Sequence, residues 1–220
     1  MIGCRPLTPN EFALVLRAFH GRDELRNRLL FVLGVSTGFR ISELLSVSIR
    51  DVHREGRLVQ RIRVRRRDMK GGRPTPGRAR GSRVHARTAI LTPLARKHLE
   101  LWLGHLALEG ALAPDAPLFR SRKGTARAIS RVQAYRVLRA AFEYCELDLT
   151  SPGTHTMRKT FADTMYEALG QNIFKLQKAL GHASPSSTVA YLSFNEEEID
   201  EAAMTAWSQP EETHKCTNLT

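Results

Sequence analysis

One segment of this chain breaks a helical pattern that otherwise runs almost end to end, and it limits the fold more than any other feature. Between Leu58 and Arg65 the side chains alternate, with Leu58, Gln60, Ile62 and Val64 on one parity and arginines crowding the other. A period of two marks a half-exposed strand. A Gly-, Pro- and Arg-rich stretch follows from Met69 to Ser82, and Arg87 to Leu91 reads as the returning strand. The simple interpretation is one long basic hairpin over about 57–92. Only a short stretch at Pro117–Phe119 otherwise suggests sheet.

On both sides of this segment apolar residues recur at helical spacing. Thr8 and Glu11 form a capping box with Pro9 at the first helical position, ahead of Phe12, Leu14, Val15 and Phe19. Further helices are predicted over about 24–36, 41–47, 94–108, 129–145, 156–169 and 173–180, with a turn of helix around 187–192. An acidic helix is expected over about 196–207, striped by Ile199, Ala203 and Trp207, and a flexible tail over 209–220. The predicted fold is mostly α with a small antiparallel β-sheet (α+β), in one main unit over 1–208.

Charge narrows the function classes. The 220 residues carry 34 Lys and Arg against 22 Asp and Glu, a net charge of +12. Twelve of the basic residues lie between Arg57 and Arg87, with Asp68 as the lone acid, whereas the last thirty residues are acidic. A basic chain of this kind suits a polyanionic partner, most often nucleic acid. Cys4, Cys145 and Cys216 form no CxxC pair, so neither a zinc site nor a disulfide framework is indicated. His20, His53, His85, His98, His105 and His214 are scattered without ligand spacing. No apolar run approaches the roughly 20 residues of a membrane span, and the N-terminus has no signal-peptide core. A cytoplasmic, nucleoid-associated protein is expected.

Four short patterns carry chemistry. Thr37-Gly38-Phe39-Arg40-Ile41-Ser42-Glu43-Leu44 places an arginine at a loop-to-helix junction, three residues ahead of a carboxylate that can hold it. His155-Thr156-Met157-Arg158 opens a helix with an imidazole and a guanidinium on one face, a favourable place for phosphate. Leu180-Gly181-His182 ends a helix at a glycine. Tyr191 follows nine residues later, within Thr188-Val189-Ala190-Tyr191. Each pattern alone has an ordinary reading as a surface or packing feature. In this order and together they resemble the signature of the tyrosine recombinase, or phage integrase, family of DNA strand-exchange enzymes. The resemblance runs from about Leu7 to the acidic helix.

The resemblance implies roles. Tyr191 is the nucleophile, Arg40 and Arg158 grip the non-bridging oxygens of a scissile phosphate, and His155 and His182 complete the pocket. Lys70, the only lysine of the hairpin, is the candidate general acid for the leaving 5′-oxygen. Glu43 supports Arg40. Lys159 stands where family members often carry histidine, which puts a supporting contact in question. The implied activity is site-specific DNA recombination through a 3′-phosphotyrosine, with no cofactor. The sequence agrees on two counts: no Walker-type GxxxxGK[ST] motif indicates ATP, and no carboxylate cluster indicates two-metal catalysis.

Fixed guanidinium and imidazole donors stabilise the charge that grows on the equatorial oxygens of a phosphodiester under attack. A phenol, with an unperturbed pKa near ~10, needs nearby positive charge and a proton acceptor to attack at neutral pH. For binding, Arg63, Arg65, Arg66, Arg67, Arg73, Arg78, Arg80, Arg83 and Arg87 are expected to track the DNA backbone. Base readout falls either to these arginines or to the helix over 129–145 with Arg131, Arg136 and Arg139.

The expected partners are double-stranded DNA and further copies of the chain, in a tetramer on DNA built through the C-terminal helix, with room for an accessory protein. About seven residues precede the first helix, so the helical DNA-clamping domain that usually precedes this unit is not expected. Two alternatives stand beside recombination: a type IB topoisomerase-like or telomere-resolving enzyme, and a non-catalytic DNA-binding regulator on the same fold.

Overall fold

The computed structural model describes residues 4–65, 86–122, 127–147, 153–182, 184–189, 191–192, 200–201 and 203–205. Helix α1 (Pro9–Ala18) begins as predicted. The Thr8 hydroxyl accepts the Glu11 N–H, and the Glu11 carboxylate accepts the Thr8 N–H. Arg5 donates to both oxygens of that same carboxylate and holds its pKa down at about 2.

The centre of the molecule is α2 (Glu24–Thr37). Leu29, Leu30, Phe31, Val32, Leu33 and Gly34 are buried in succession, so this helix is enclosed on all sides rather than along one stripe. It packs against α5 (Pro93–Leu108) and α7 (Thr154–Ala168). A Cβ at Gly34 would overlap the Met157 side chain, so that glycine sets the close approach of α2 and α7. Two short helices, α3 (Ile41–Leu44) and α4 (Ile49–Val52), follow α2, and α6 (Arg131–Tyr144) packs on α1 and α2. Helices α8 (Ile173–Leu180) and α9 (Ser186–Val189) complete the order.

The basic hairpin is divided. Strand β1 (His53–Arg54) pairs antiparallel with β2 (Arg57–Leu58), and β3 (Arg61–Val64) pairs with β4 (Arg87–Ile90). Leu58 therefore turns back onto His53 instead of meeting the returning strand. The reason is local: Glu55 and Gly56 both adopt positive φ, the backbone of a two-residue hairpin turn. Ile62 and Val64 are buried as predicted, while Gln60 is exposed. Pro117 forms an isolated bridge with Ser48.

The core has two parts. A large cluster is centred on α2, and a smaller one joins Phe161, Ala162, Leu176 and Leu180, with Tyr166, Tyr191 and Leu192 packed against it. The expected acidic helix lies largely outside the described residues; 200–201 and 203–205 are helical. Among the described residues no helix is long and apolar enough to cross a membrane.

Candidate active site

The site is assembled at the C-terminal end of α2. Gly38 caps the helix in the left-handed region at φ 58°, and its N–H bonds to Gly34 O. A Cβ at Gly38 would overlap the Phe161 ring. This turn delivers Arg40 to the N-cap of α3 in extended conformation. Glu43, fully buried, accepts the Arg40 backbone N–H at 2.8 Å and its Nη1 at 3.1 Å. One carboxylate thus fixes both ends of Arg40, which stays 29% exposed and open to a ligand.

Arg158, on the fifth residue of α7, is 1% exposed. Its Nη1 donates to Gly38 O, and its Nη2 donates to Leu180 O at 2.9 Å and to His182 Nε2 at 2.7 Å. Its Nε has no acceptor among the described residues. Burial, and then Arg40, lower its pKa, with Tyr191 and Glu43 acting the other way. His155 lies one turn earlier on α7 with an exposed side chain. Partial burial, Arg158, Arg40 and Lys159 hold its pKa below the ordinary value. Lys159 is half-buried beside Arg158 on α7.

His182 follows Gly181, which ends α8 in the left-handed region at φ 64°. Burial lowers the His182 pKa to about 4, and the charges of Arg158, Arg40 and Arg87 push the same way. Its ring lies 5.3 Å from the Tyr191 ring, and the Arg158 guanidinium lies 5.3 Å from the same ring centroid. Tyr191 is half-buried. Arg40, Glu43, Arg158, His182 and Tyr191, spread over some 150 residues of chain, therefore converge, and His155 is close enough to feel both guanidiniums.

Arg87 corrects the sequence reading. It was expected on the DNA-facing surface with the other hairpin arginines, but it is 6% exposed. Its donors go to Thr37 O at 3.0 Å, Gly38 O at 3.2 Å and Ala179 O at 2.7 Å. It also approaches the Glu43 carboxylate at 3.5 Å, with its guanidinium 4.9 Å over the Phe39 ring. Arg87 thereby braces the turn before Arg40 against the end of α8. The signal was strand parity: Arg87 pairs with Val64 and shares the inward face of Ile62 and Val64. Thr188, fully buried, also escaped notice; its hydroxyl lies 3.0 Å from His182 Nδ1.

Arg63 and Arg65 are exposed, as backbone contact requires. Lys70, Arg66, Arg67, Arg73, Arg78, Arg80 and Arg83 lie outside the described residues. Among the described residues no group of His, Cys, Asp and Glu is arranged to hold a metal ion.

The chain resembles known proteins over nearly its whole length. The model of the phage integrase family matches residues 5–198, nearly the whole chain. The chain belongs to the phage integrase family. Among its relatives is a probable integrase/recombinase, YoeC, of Bacillus subtilis, 31% identical over 172 residues that make up 78% of this chain and 80% of that protein. The tyrosine recombinase XerD of Mycobacterium leprae is 30% identical over 85% of this chain and 56% of its own length.

The fold agrees as well. The structure of a XerH site-specific recombinase in a post-cleavage complex with its difH substrate superposes with a TM-score of 0.70 at 24% identity, over 94% of this chain and 54% of that one. The catalytic domain of bacteriophage HP1 integrase gives 0.52 at 18% identity, over 90% and 93%. The chain thus spans about half the length of the XerD and XerH recombinases it matches and most of the length of YoeC and the HP1 domain.

Proposed function

We propose that this integrase-family chain cuts and rejoins double-stranded DNA at specific sites through a phosphotyrosine. One observation carries the reading: the guanidiniums of Arg40 and Arg87 pair with the buried carboxylate of Glu43, and that of Arg158 adds its charge close by, next to a half-buried tyrosine. A buried cluster with excess positive charge calls for an anion, and the Tyr191 ring beside it makes a phosphodiester under nucleophilic attack the fitting one. The integrase-family match favours recombination over a topoisomerase-like reaction, and the intact set of site residues argues against a purely regulatory protein.

In the proposed step the Tyr191 oxygen bonds to phosphorus and the bond to the 5′-oxygen breaks. The phenolic proton passes to a histidine of the site, His155 or His182. Lys70 is the proposed donor of the proton that the leaving 5′-oxygen needs. The phosphodiester's energy stays in the covalent link, so a 5′-hydroxyl from another strand reverses the step without ATP. In the free protein His182 is a poor base, because its pKa is about 4. A bound phosphodiester brings negative charge among Arg40, Arg87 and Arg158 and raises it, so basicity arrives with the substrate. Arg63 and Arg65 would lie along the DNA backbone, and assembly of a tetramer on DNA through the C-terminal helix belongs to the same proposal.

The test is covalent trapping. Incubation with a pool of nicked duplexes of randomised sequence should yield a protein–DNA band that survives denaturant. Tyr191→Phe should abolish it, and sequencing the trapped DNA gives the target site. No band from the wild-type chain, or a band that persists in Tyr191→Phe, overturns the proposal.

A further inference from the structure

We infer that Arg87 is a positioning residue for DNA cleavage. By bonding the C-terminal ends of α2 and α8 at once, it fixes the segment that carries Tyr191 against the turn that carries Arg40. The inference rests on the strand-transfer reading above. It starts from where two helices stop. An α-helix leaves its last carbonyls without intrahelical donors, and its C-terminus carries partial negative charge. Helices α2 and α8 both end at left-handed glycines, Gly38 and Gly181. Arg87 Nη2 donates to Thr37 O at 3.0 Å and to Ala179 O at 2.7 Å, and its Nη1 donates to Gly38 O at 3.2 Å. One guanidinium thus caps both helices.

The place demands a fork. Carbonyls on two separate helices meet one nitrogen, whose two hydrogens must diverge in a fixed plane, as those of a guanidinium do. A Cβ at Gly181 would lie 3.0 Å from Arg87 Cδ and 3.3 Å from its Nε, so the turn after α8 rests directly on this side chain. The Nε itself has no acceptor among the described residues; both Nη atoms are spent on the helix ends instead.

From Ala179 the connection runs on to the nucleophile. The His182 N–H donates to Gln177 O at 3.1 Å, and Gln177 Nε2 donates to His182 O at 3.1 Å, which joins the turn to α8. The Thr188 hydroxyl lies 3.0 Å from His182 Nδ1, and Thr188 O accepts the Tyr191 N–H at 2.9 Å. Leu176 and Leu180 of α8 also pack with Tyr191 and Leu192. In the other direction Gly38 leads to Arg40 and to Glu43, whose carboxylate is 3.5 Å from Arg87. Arg158 bridges the same two helix ends through Gly38 O and Leu180 O, but in the proposed reaction it also serves the phosphate. Arg87, 6% exposed, touches no substrate and keeps the two ends in register while the phosphodiester is bound. A displacement of about 1 Å between reacting groups costs on the order of 100-fold in rate.

Two measurements test this. Methyl NMR of the free, full chain needs no DNA. In Arg87→Met the Leu176 and Leu192 methyl signals should shift and broaden, whereas those of Leu99 and Leu106 on α5 should match the wild type. Single-turnover formation of the covalent adduct reads the reaction, on a nicked duplex carrying the site trapped by the wild type and at a temperature where every variant is folded. Arg87→Met should lower the maximal rate by about 10- to 100-fold and leave the half-saturating duplex concentration within about threefold of wild type. Arg87→Lys should be nearly as slow, because an ammonium keeps the charge without spanning both helix ends. Val15→Ala trims a buried side chain of α1, a helix with no residue in the site, and should cleave at the wild-type rate despite its lost stability. Where Arg87→Met does not fold, both measurements are read on Arg87→Lys.

Wild-type cleavage by Arg87→Lys overturns the inference, because charge alone then suffices. Unaltered Leu176 and Leu192 signals in Arg87→Met overturn it as well. So does a Val15→Ala protein slowed as much as Arg87→Met, since general stability is then what matters. All three results leave the strand-transfer reading standing. A wild-type chain that forms no adduct overturns that reading and the cleavage role of Arg87 with it, while the methyl signals still decide whether Arg87 joins the two helices.

Discussion

Replacing Arg87 with methionine isolates what a buried guanidinium contributes when it touches no substrate. Burial, with Arg158 and Arg40 nearby, lowers the Arg87 pKa from 12.5 to about 9 despite the attraction of Glu43. That corresponds to ~5 kcal/mol opposing its charge in the fold. Against this stand bonds to Thr37 O, Gly38 O and Ala179 O. At ~2 kcal/mol each for a charged donor they sum to ~6 kcal/mol, so the two sides nearly cancel in the native protein.

Methionine removes both sides, but it strands acceptors. Gly38 O keeps Arg158, whereas Thr37 O and Ala179 O lose a charged donor at ~1 kcal/mol each. Of its two ion pairs Glu43 keeps the one with Arg40, with the charge of Arg158 still close by. The expected outcome is a loss of about 2 kcal/mol in urea unfolding, with an unchanged m-value. Arg87→Lys should lose nearly as much, because one ammonium cannot span carbonyls on two separate segments. An Arg87→Met protein as stable as the wild type, or more stable, refutes the reasoning and makes the buried charge a net burden.

The remaining expectations are briefer. His182 has a folded pKa of about 4, below its ordinary 6.5, so the unfolded chain binds a proton more readily. Stability should be level above pH 6.5 and fall as pH drops toward 4; discounted for partial solvent contact, about 1 kcal/mol is lost between pH 7 and pH 5. Unfolding at both values should show that part of the slope removed in His182→Gln, and an unaltered slope would contradict the assignment. Gly38→Ala combines a left-handed backbone with overlap on Phe161 and should cost about 3 kcal/mol in the same assay. The double variant Arg63→Ala, Arg65→Ala should leave thermal stability unchanged and reduce the salt dependence of duplex binding by about two counterions, read as the slope of log affinity against log salt.

The legible parts of the fold are those set by local periodicity or by a cap. The Thr8–Glu11 box, the helix ends at Gly38 and Gly181 and the burial of Ile62 and Val64 all follow from a few adjacent residues. The turn at Glu55–Gly56 was missed because Glu is not a usual residue at positive φ. In the site, Arg40, His155, Arg158, His182 and Tyr191 were legible through four short patterns that, taken in order, resemble the integrase-family signature, although each alone reads as an ordinary surface or packing feature. The buried partners were not. Arg87 looks like one more basic residue in a basic stretch, and only the register opposite Val64 turns it inward. Thr188 looks like any helical threonine until the fold brings His182 within 3.0 Å of its hydroxyl. Side-chain identity tells which groups can react; which of them are held, and by what, depends on contacts between distant segments.

The division of the core has a consequence for control. Arg40, Glu43 and Arg158 are fastened to α2 and to the long start of α7, whereas Tyr191 rests on the small cluster around Leu176 and Leu180. A few apolar side chains hold far less free energy than the main body, so this corner can open while the rest of the molecule stays intact. The main body and the segment that carries Tyr191 therefore need not share one melting event. Safety can be built from that difference: on the proposed reading, the tyrosine would disengage before the main body unfolds, so DNA cleavage would be lost before the fold is.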